Sequence, residues 1–216
     1  MIRLKGVAMM LVAALVAGRV SATIHTGTLS VAADELTGTS GWAAGPTSFM
    51  YKVDDQTTPG YWHYEYTVSV PYKDGLGIQQ ILIGLDPVIT VDDLLNIDLT
   101  VGGTHSVGLF ENHGDKENMP QNLHAVNFAI GHNAHEVTIS FDTLYEPFWG
   151  NFFVRGQGQN TVWNSSFTPT SMLPVFPPNV YMLGFIVRPG IPEPTTMLLL
   201  GVGGVAMIRA RRRRRT

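Results

Sequence analysis

The stretch at 61–70 places Trp62, Tyr64, Tyr66, Val68 and Val70 on one parity and His63, Glu65, Thr67 and Ser69 on the other. Side chains of a strand point alternately to opposite faces, so this period of two predicts a half-buried β-strand. Thr58-Pro59-Gly60 before it and Pro71-Tyr72-Lys73-Asp74-Gly75 after it supply turn chemistry. The same alternation returns around Val137, Ile139 and Phe141, with Thr138 and Ser140 between them. Further strands are predicted at 47–53, 78–85, 97–101, 106–110, 125–130, 149–155 and 181–187. A helix is expected only at 90–95, where Thr90 can cap and Asp93 stands where a capping box wants an acid. About nine short strands separated by turns predict an all-β fold, an antiparallel β-sandwich or jelly roll.

Composition agrees with that reading. Of 216 residues, 23 are Gly and 13 Pro while only 14% are charged, a balance that favours strands and turns over helical bundles. There is no cysteine, which excludes disulfides, a thiol nucleophile and thiolate metal ligands. Charge is distributed unevenly. Between positions 23 and 190 stand 5 bases, namely Lys52, Lys73, Lys116, Arg155 and Arg188, and 16 acids, a net charge of −11. An acidic body of this kind is repelled by nucleic acid, and by acidic polysaccharide unless divalent cations intervene.

The two ends read as addresses. Arg3 and Lys5 precede an apolar run at 7–17, and Val20-Ser21-Ala22 offers small or β-branched residues for signal peptidase, so residues 1–22 are expected to be a signal peptide entering the Sec translocon as a helix. At the other end Pro192-Glu193-Pro194 leads into an uncharged apolar run at 197–208, closed by Arg209, Arg211, Arg212, Arg213, Arg214 and Arg215. At about 1.5 Å per residue this run alone is short for a hydrocarbon core of about 30 Å. Adding the residues from Pro194 and letting Arg209 snorkel gives a marginal transmembrane helix. The arginines are expected to stop transfer and stay cytoplasmic, with the body outside. The prolines keep that helix from running back into the domain.

Tripeptide, apolar helix with Leu198-Leu199-Leu200-Gly201, and Arg cluster in this order resemble the PEP-CTERM sorting signal of Gram-negative bacteria. The resemblance covers 191–216 and implies an exosortase-type processing enzyme as partner. It also implies a transient stay in the inner membrane, removal of the tail near Pro192, Glu193 and Pro194, and release to the outer surface or extracellular matrix, in association with exopolysaccharide or biofilm. An ordinary single-span anchor that is never cut is the alternative. The expected organisation is thus a signal peptide at 1–22, a β-sandwich ectodomain at 23–190 and the sorting signal at 191–216.

Within the body, several constellations carry chemistry in other proteins. His105, His113, His124, His132 and His135 fall close together, and imidazoles at that density can bind zinc or copper, although no HExxH pattern exists. Glu111, His113, Asp115, Glu117 and Asn118 offer oxygen ligands for calcium, yet lack the spacing of an EF-hand loop. Solvated polar loops account for both groups, so no resident cofactor is expected. The nucleophile elbow, the phosphate loop and the dinucleotide fingerprint are missing. Glu65, Glu111, Glu136 and Glu146 remain candidates for a glycosidase pair, and Trp42, Trp62, Trp149 and Trp163 for a sugar-stacking platform. The expectation is a non-enzymatic surface or matrix protein, with a polysaccharide-binding or polysaccharide-cleaving domain as the rival reading.

Overall fold

The computed structural model describes residues 23–72, 77–113, 118–169 and 184–191. The expected signal helix at 1–22 and the expected membrane helix beyond Pro192 lie outside the described residues. Among these residues thirteen strands follow one another: β1 (Ile24–Ser30), β2 (Leu36–Gly38), β3 (Ser48–Asp54), β4 (Trp62–Ser69), β5 (Ile78–Gly84), β6 (Leu95–Leu99), β7 (Gly103–Phe110), β8 (Leu123–Ala134), β9 (Glu136–Thr143), β10 (Glu146–Gly150), β11 (Phe152–Gly156), β12 (Thr161–Asn164) and β13 (Ile186–Gly190). They form a five-stranded sheet in the order β1-β3-β4-β9-β6, a six-stranded sheet β2-β12-β11-β5-β8-β7, and a ribbon of β10 with β13. Every pairing is antiparallel.

The two large sheets meet through their apolar faces. On β4 the aromatic parity points inward, with Tyr64, Tyr66 and Val68 fully buried opposite Phe141, Ile139 and Val137 of β9. Phe49 of β3 packs at a tilt against Phe152 of β11, 3.9 Å between ring centroids, and Phe128 of β8 approaches Phe141 of β9 at 6.4 Å. One continuous cluster therefore draws on both sheets. The outer face of the five-stranded sheet carries Lys52, Glu65, Thr67, Thr138 and Ser140, which is why its strands alternate. The inner strands of the six-stranded sheet are covered on both faces, while β7 at its edge is mostly exposed. Ile81 and Ile83 join the main core while Leu82 turns outward to a second cluster with Met119, Leu123, Ala125 and Phe153. Strands buried on both sides read as unbroken apolar runs, as 81–83 and 152–154 do.

Several expectations are corrected here. About nine strands become thirteen, because β1, β2 and β12 carry little apolar alternation: β1 is exposed at Ile24, Thr26 and Thr28 and buries only Leu29. The single strand expected at 149–155 is two, interrupted at Asn151, whose carbonyl accepts from the Gly84 amide while its side chain serves Asn164 and Thr168. The strand expected at 97–101 begins earlier, at Leu95, and that at 106–110 begins at Gly103. The strand expected at 181–187 is β13 only from Ile186, and residues 181–183 lie outside the described residues. At 90–95 the capping box of Thr90 and Asp93 is present but starts a single 3-10 turn, Val91–Asp93, since Leu95 is taken by β6.

A polar row crosses one end of the five-stranded sheet: Asp54 of β3 faces His63 of β4, which faces Asp142 of β9. Asp142 is buried and accepts from His63 Nδ1 at 2.7 Å, the Thr58 hydroxyl at 2.9 Å and Asn96 Nδ2 at 2.7 Å. That last bond holds Asn96 at a positive φ of 50°, where β6 slips register against β9. Burial opposes ionisation of both carboxylates but is outweighed by donors. The amides of Thr57 and Gln56, the Thr57 hydroxyl and Lys52 bring Asp54 down to about 2, and Asn96, His63 and Thr58 lower Asp142. A carboxylate whose pKa is depressed by folding adds stability above its unfolded value near 4, and that stability is lost as pH falls through the folded value. Melting temperature is therefore expected to hold from pH 7 to about 5 and to drop between about 4 and 2. Asp54→Asn should flatten that drop, and an unchanged acid profile in this variant would refute the assignment.

Candidate functional site: the junction of body and tail

Arg188 is a lone base in an otherwise apolar strand, and it is 4% exposed. A buried guanidinium needs a counter-ion and acceptors, because desolvating an unpaired charge is prohibitive. Asp86, two residues past the end of β5, supplies them: its Oδ1 accepts from Arg188 Nη2 at 3.0 Å. Arg188 Nη1 donates to the Pro189 carbonyl at 2.8 Å. The second oxygen of Asp86 accepts the main-chain amide of Ile191. One carboxylate thus ties a side chain of β13 and the first residue beyond it to the loop after β5.

The surroundings are shaped for that clamp. β13 registers on β10 with Gly190 opposite Glu146, Arg188 opposite Phe148 and Ile186 opposite Gly150. The Arg188 stem lies so close over Gly150 that an added Cβ there stands 2.3 Å from its Cγ and Cδ. Tyr66 donates its hydroxyl to the Val187 carbonyl at 2.9 Å, and Tyr64 donates to the Tyr145 carbonyl at 2.9 Å, so β4 grips both this ribbon and the turn before it. Burial pushes both phenols well above their ordinary range, which keeps them neutral donors. His124 sits beside the pair. Burial depresses its pKa, the Leu85 carbonyl and Asp86 pull it up, and Arg188 lowers it further. A neutral His124 leaves the Asp86 carboxylate to Arg188.

Elsewhere the sequence candidates scatter. Among the described residues no three His, Asp or Glu side chains are placed to hold a metal ion. His105 is exposed on β7, His113 contacts Glu111, and His135 lies between β8 and β9, with its Nδ1 3.1 Å from the Pro71 carbonyl and its ring against Tyr72. His132 belongs to β8, while Asp115 and Glu117 lie outside the described residues and Asn118 follows them. Glu65 and Glu136 share the outer face of the five-stranded sheet, but four residues separate them along the β4–β9 register. That is about 13 Å, more than the roughly 5–9.5 Å between glycosidase carboxylates. Glu111 follows β7 and Glu146 opens β10, on other elements. Trp42 and Trp149 are buried, Trp62 stacks on His25 and Trp163 on Phe153, so the four indoles form no common platform.

No curated protein and no solved structure matches this chain. Residues 190–215 match the family described as the PEP-CTERM protein-sorting motif. The chain carries a PEP-CTERM sorting signal. That signal marks it for export, for membrane transit and for exosortase-targeted sorting to the cell surface. Pro192, Glu193, Pro194, Arg209 and Arg211 to Arg215 fall inside the PEP-CTERM match and outside the described residues. The match begins at Gly190, which is also the last residue of β13, so the PEP-CTERM signal starts on the folded body itself. Sequence reasoning passed over Asp86, whose role is visible only once β5 and β13 are brought together. The available signal was Arg188, a single charge inside an apolar strand that required a partner.

Proposed function

We propose that this protein is a non-enzymatic component of the cell surface or extracellular matrix, with a β-sandwich ectodomain delivered through its PEP-CTERM signal. An N-terminal signal peptide brings the chain to the Sec translocon. The apolar segment at 197–208 then holds it in the inner membrane, with Arg209 and Arg211 to Arg215 on the cytoplasmic side, until an exosortase-type enzyme removes the tail near Pro192, Glu193 and Pro194. The observation that carries this reading is the continuity of the sorting match with β13, which leaves no further domain between body and signal. Replacing Pro192, Glu193 and Pro194 together with alanine is expected to leave most of the protein in the inner-membrane fraction with its arginines intact by mass. Release of that variant at the rate of the natural chain would rule the reading out.

A polysaccharide-binding role is the second reading, and a cavity of about 300 Å³ favours it, where Tyr61 and Tyr145 meet Asp92, Asp93, Leu95 and Leu144. Aromatic faces beside carboxylates suit the apolar and hydroxyl surfaces of a sugar. Binding of the released body to a glycan array, lost on Tyr61→Ala, is the result that would support it.

A further inference from the structure

The clamp lies at the point where the sorting signal leaves the fold. Ile191 donates its amide to Asp86, and Pro192 has no amide to donate, so Ile191 is the last main-chain donor before Glu193. Any pull on the tail acts at the Gly190 end of β13, which faces the first residue of β10. A load applied there opens an antiparallel ribbon one residue at a time, beginning with the pair Gly190 and Glu146. Asp86 and Arg188 stand at that opening end, and their mutual contact is partly buried, with side chains 18% and 5% exposed.

We propose that Asp86 and Arg188 are positioning residues for removal of the tail. They keep β13 closed up to Ile191 and so fix where Pro192-Glu193-Pro194 emerges from the body. The processing enzyme meets the tripeptide at one register, and the released protein keeps an ordered C-terminal strand. This rests on the reading that the motif is cut by an exosortase-type enzyme.

The experiment uses the full chain, exported in a bacterium that carries an exosortase, with two variants. Asp86→Ala combined with Arg188→Met removes both charges and leaves no unpaired ion in the core, so the body can fold without the clamp. In the purified full-length chain held in detergent, hydrogen exchange at the Ile191 amide is expected to quicken at least about tenfold, the equivalent of one lost charge-assisted hydrogen bond. The released natural protein is expected to have a single C-terminus by intact mass, and the double variant ends scattered over several residues. A double variant released with the natural single terminus, although Ile191 has lost its protection, overturns the proposal. So does an Ile191 amide that exchanges equally fast in both chains. The alanine replacement of Pro192, Glu193 and Pro194 separates the two failures. If that variant is held in the membrane while the double variant is processed normally, only the positioning role falls. If it is released like the natural chain, the underlying reading falls and takes the proposal with it.

Discussion

Phe152→Ala is expected to destabilise the body by about 3–5 kcal/mol, the range for truncating a fully buried aromatic. Phe152 has no exposure, and its ring packs against Phe49 with centroids 3.9 Å apart where the five-stranded and six-stranded sheets touch. Neither sheet can close the gap locally, because β11 is held between β12 and β5 and β3 between β1 and β4. A cavity left between two fixed layers costs its lost contacts as well as the transfer energy of the ring. For a domain of this size the melting temperature should fall by roughly 6–20 °C. Tyr72→Ala is the control, since Tyr72 is 87% exposed and its loss should change stability by no more than about 0.5 kcal/mol. Thermal unfolding of the two variants followed by circular dichroism decides it, and a Phe152→Ala loss as small as that of Tyr72→Ala would mean the sheets do not share one core.

What was legible in the sequence follows which faces water touches. The strand at 61–70 was read with its inward side correct, because one face of β4 is polar and the other lies on the core. Strands such as β5 and β11, covered on both faces, show as apolar runs whose limits are blurred, and the break at Asn151 within 149–155 was hidden for that reason. β1 and β2 were illegible. They are edge strands of their sheets and bury little, so pairing with β3 and β12 rather than any pattern of their own makes them strands. The capping box at Thr90 was legible, being a contact within three residues, but the length of the helix was not, since β9 claims Leu95 for the sheet. The sorting signal was the easiest part to read because its function lies in a linear order of residues. The clamp was the hardest, because Asp86 and Arg188 are 102 positions apart and nothing near either names the other.

Asp86→Ala alone is expected to be worse for the fold than Asp86→Ala with Arg188→Met. The single variant leaves the guanidinium of Arg188, 4% exposed, with the Pro189 carbonyl as its remaining hydrogen-bond acceptor, and no carboxylate bonded to it, among the described residues. Breaking a buried pair from one side costs about 3–5 kcal/mol, largely because it leaves an uncompensated charge, whereas removing both charges leaves none behind. That difference is a large part of the roughly 5–15 kcal/mol that holds a domain together. Methionine suits the second site because its unbranched stem can follow the path of Arg188 over Gly150, where no side chain larger than hydrogen fits. Urea unfolding should place the midpoint of the single variant well below that of the natural body, and the double variant between the two and nearer to the natural one. Arg188→Met alone should fall close to the double variant, since Asp86, with its side chain 18% exposed, can recover water that Arg188 cannot reach. The asymmetry is the telling quantity: if removing Asp86 costs no more than removing Arg188, the guanidinium is not held in the interior by its partner, and the junction is stabilised by strand pairing alone.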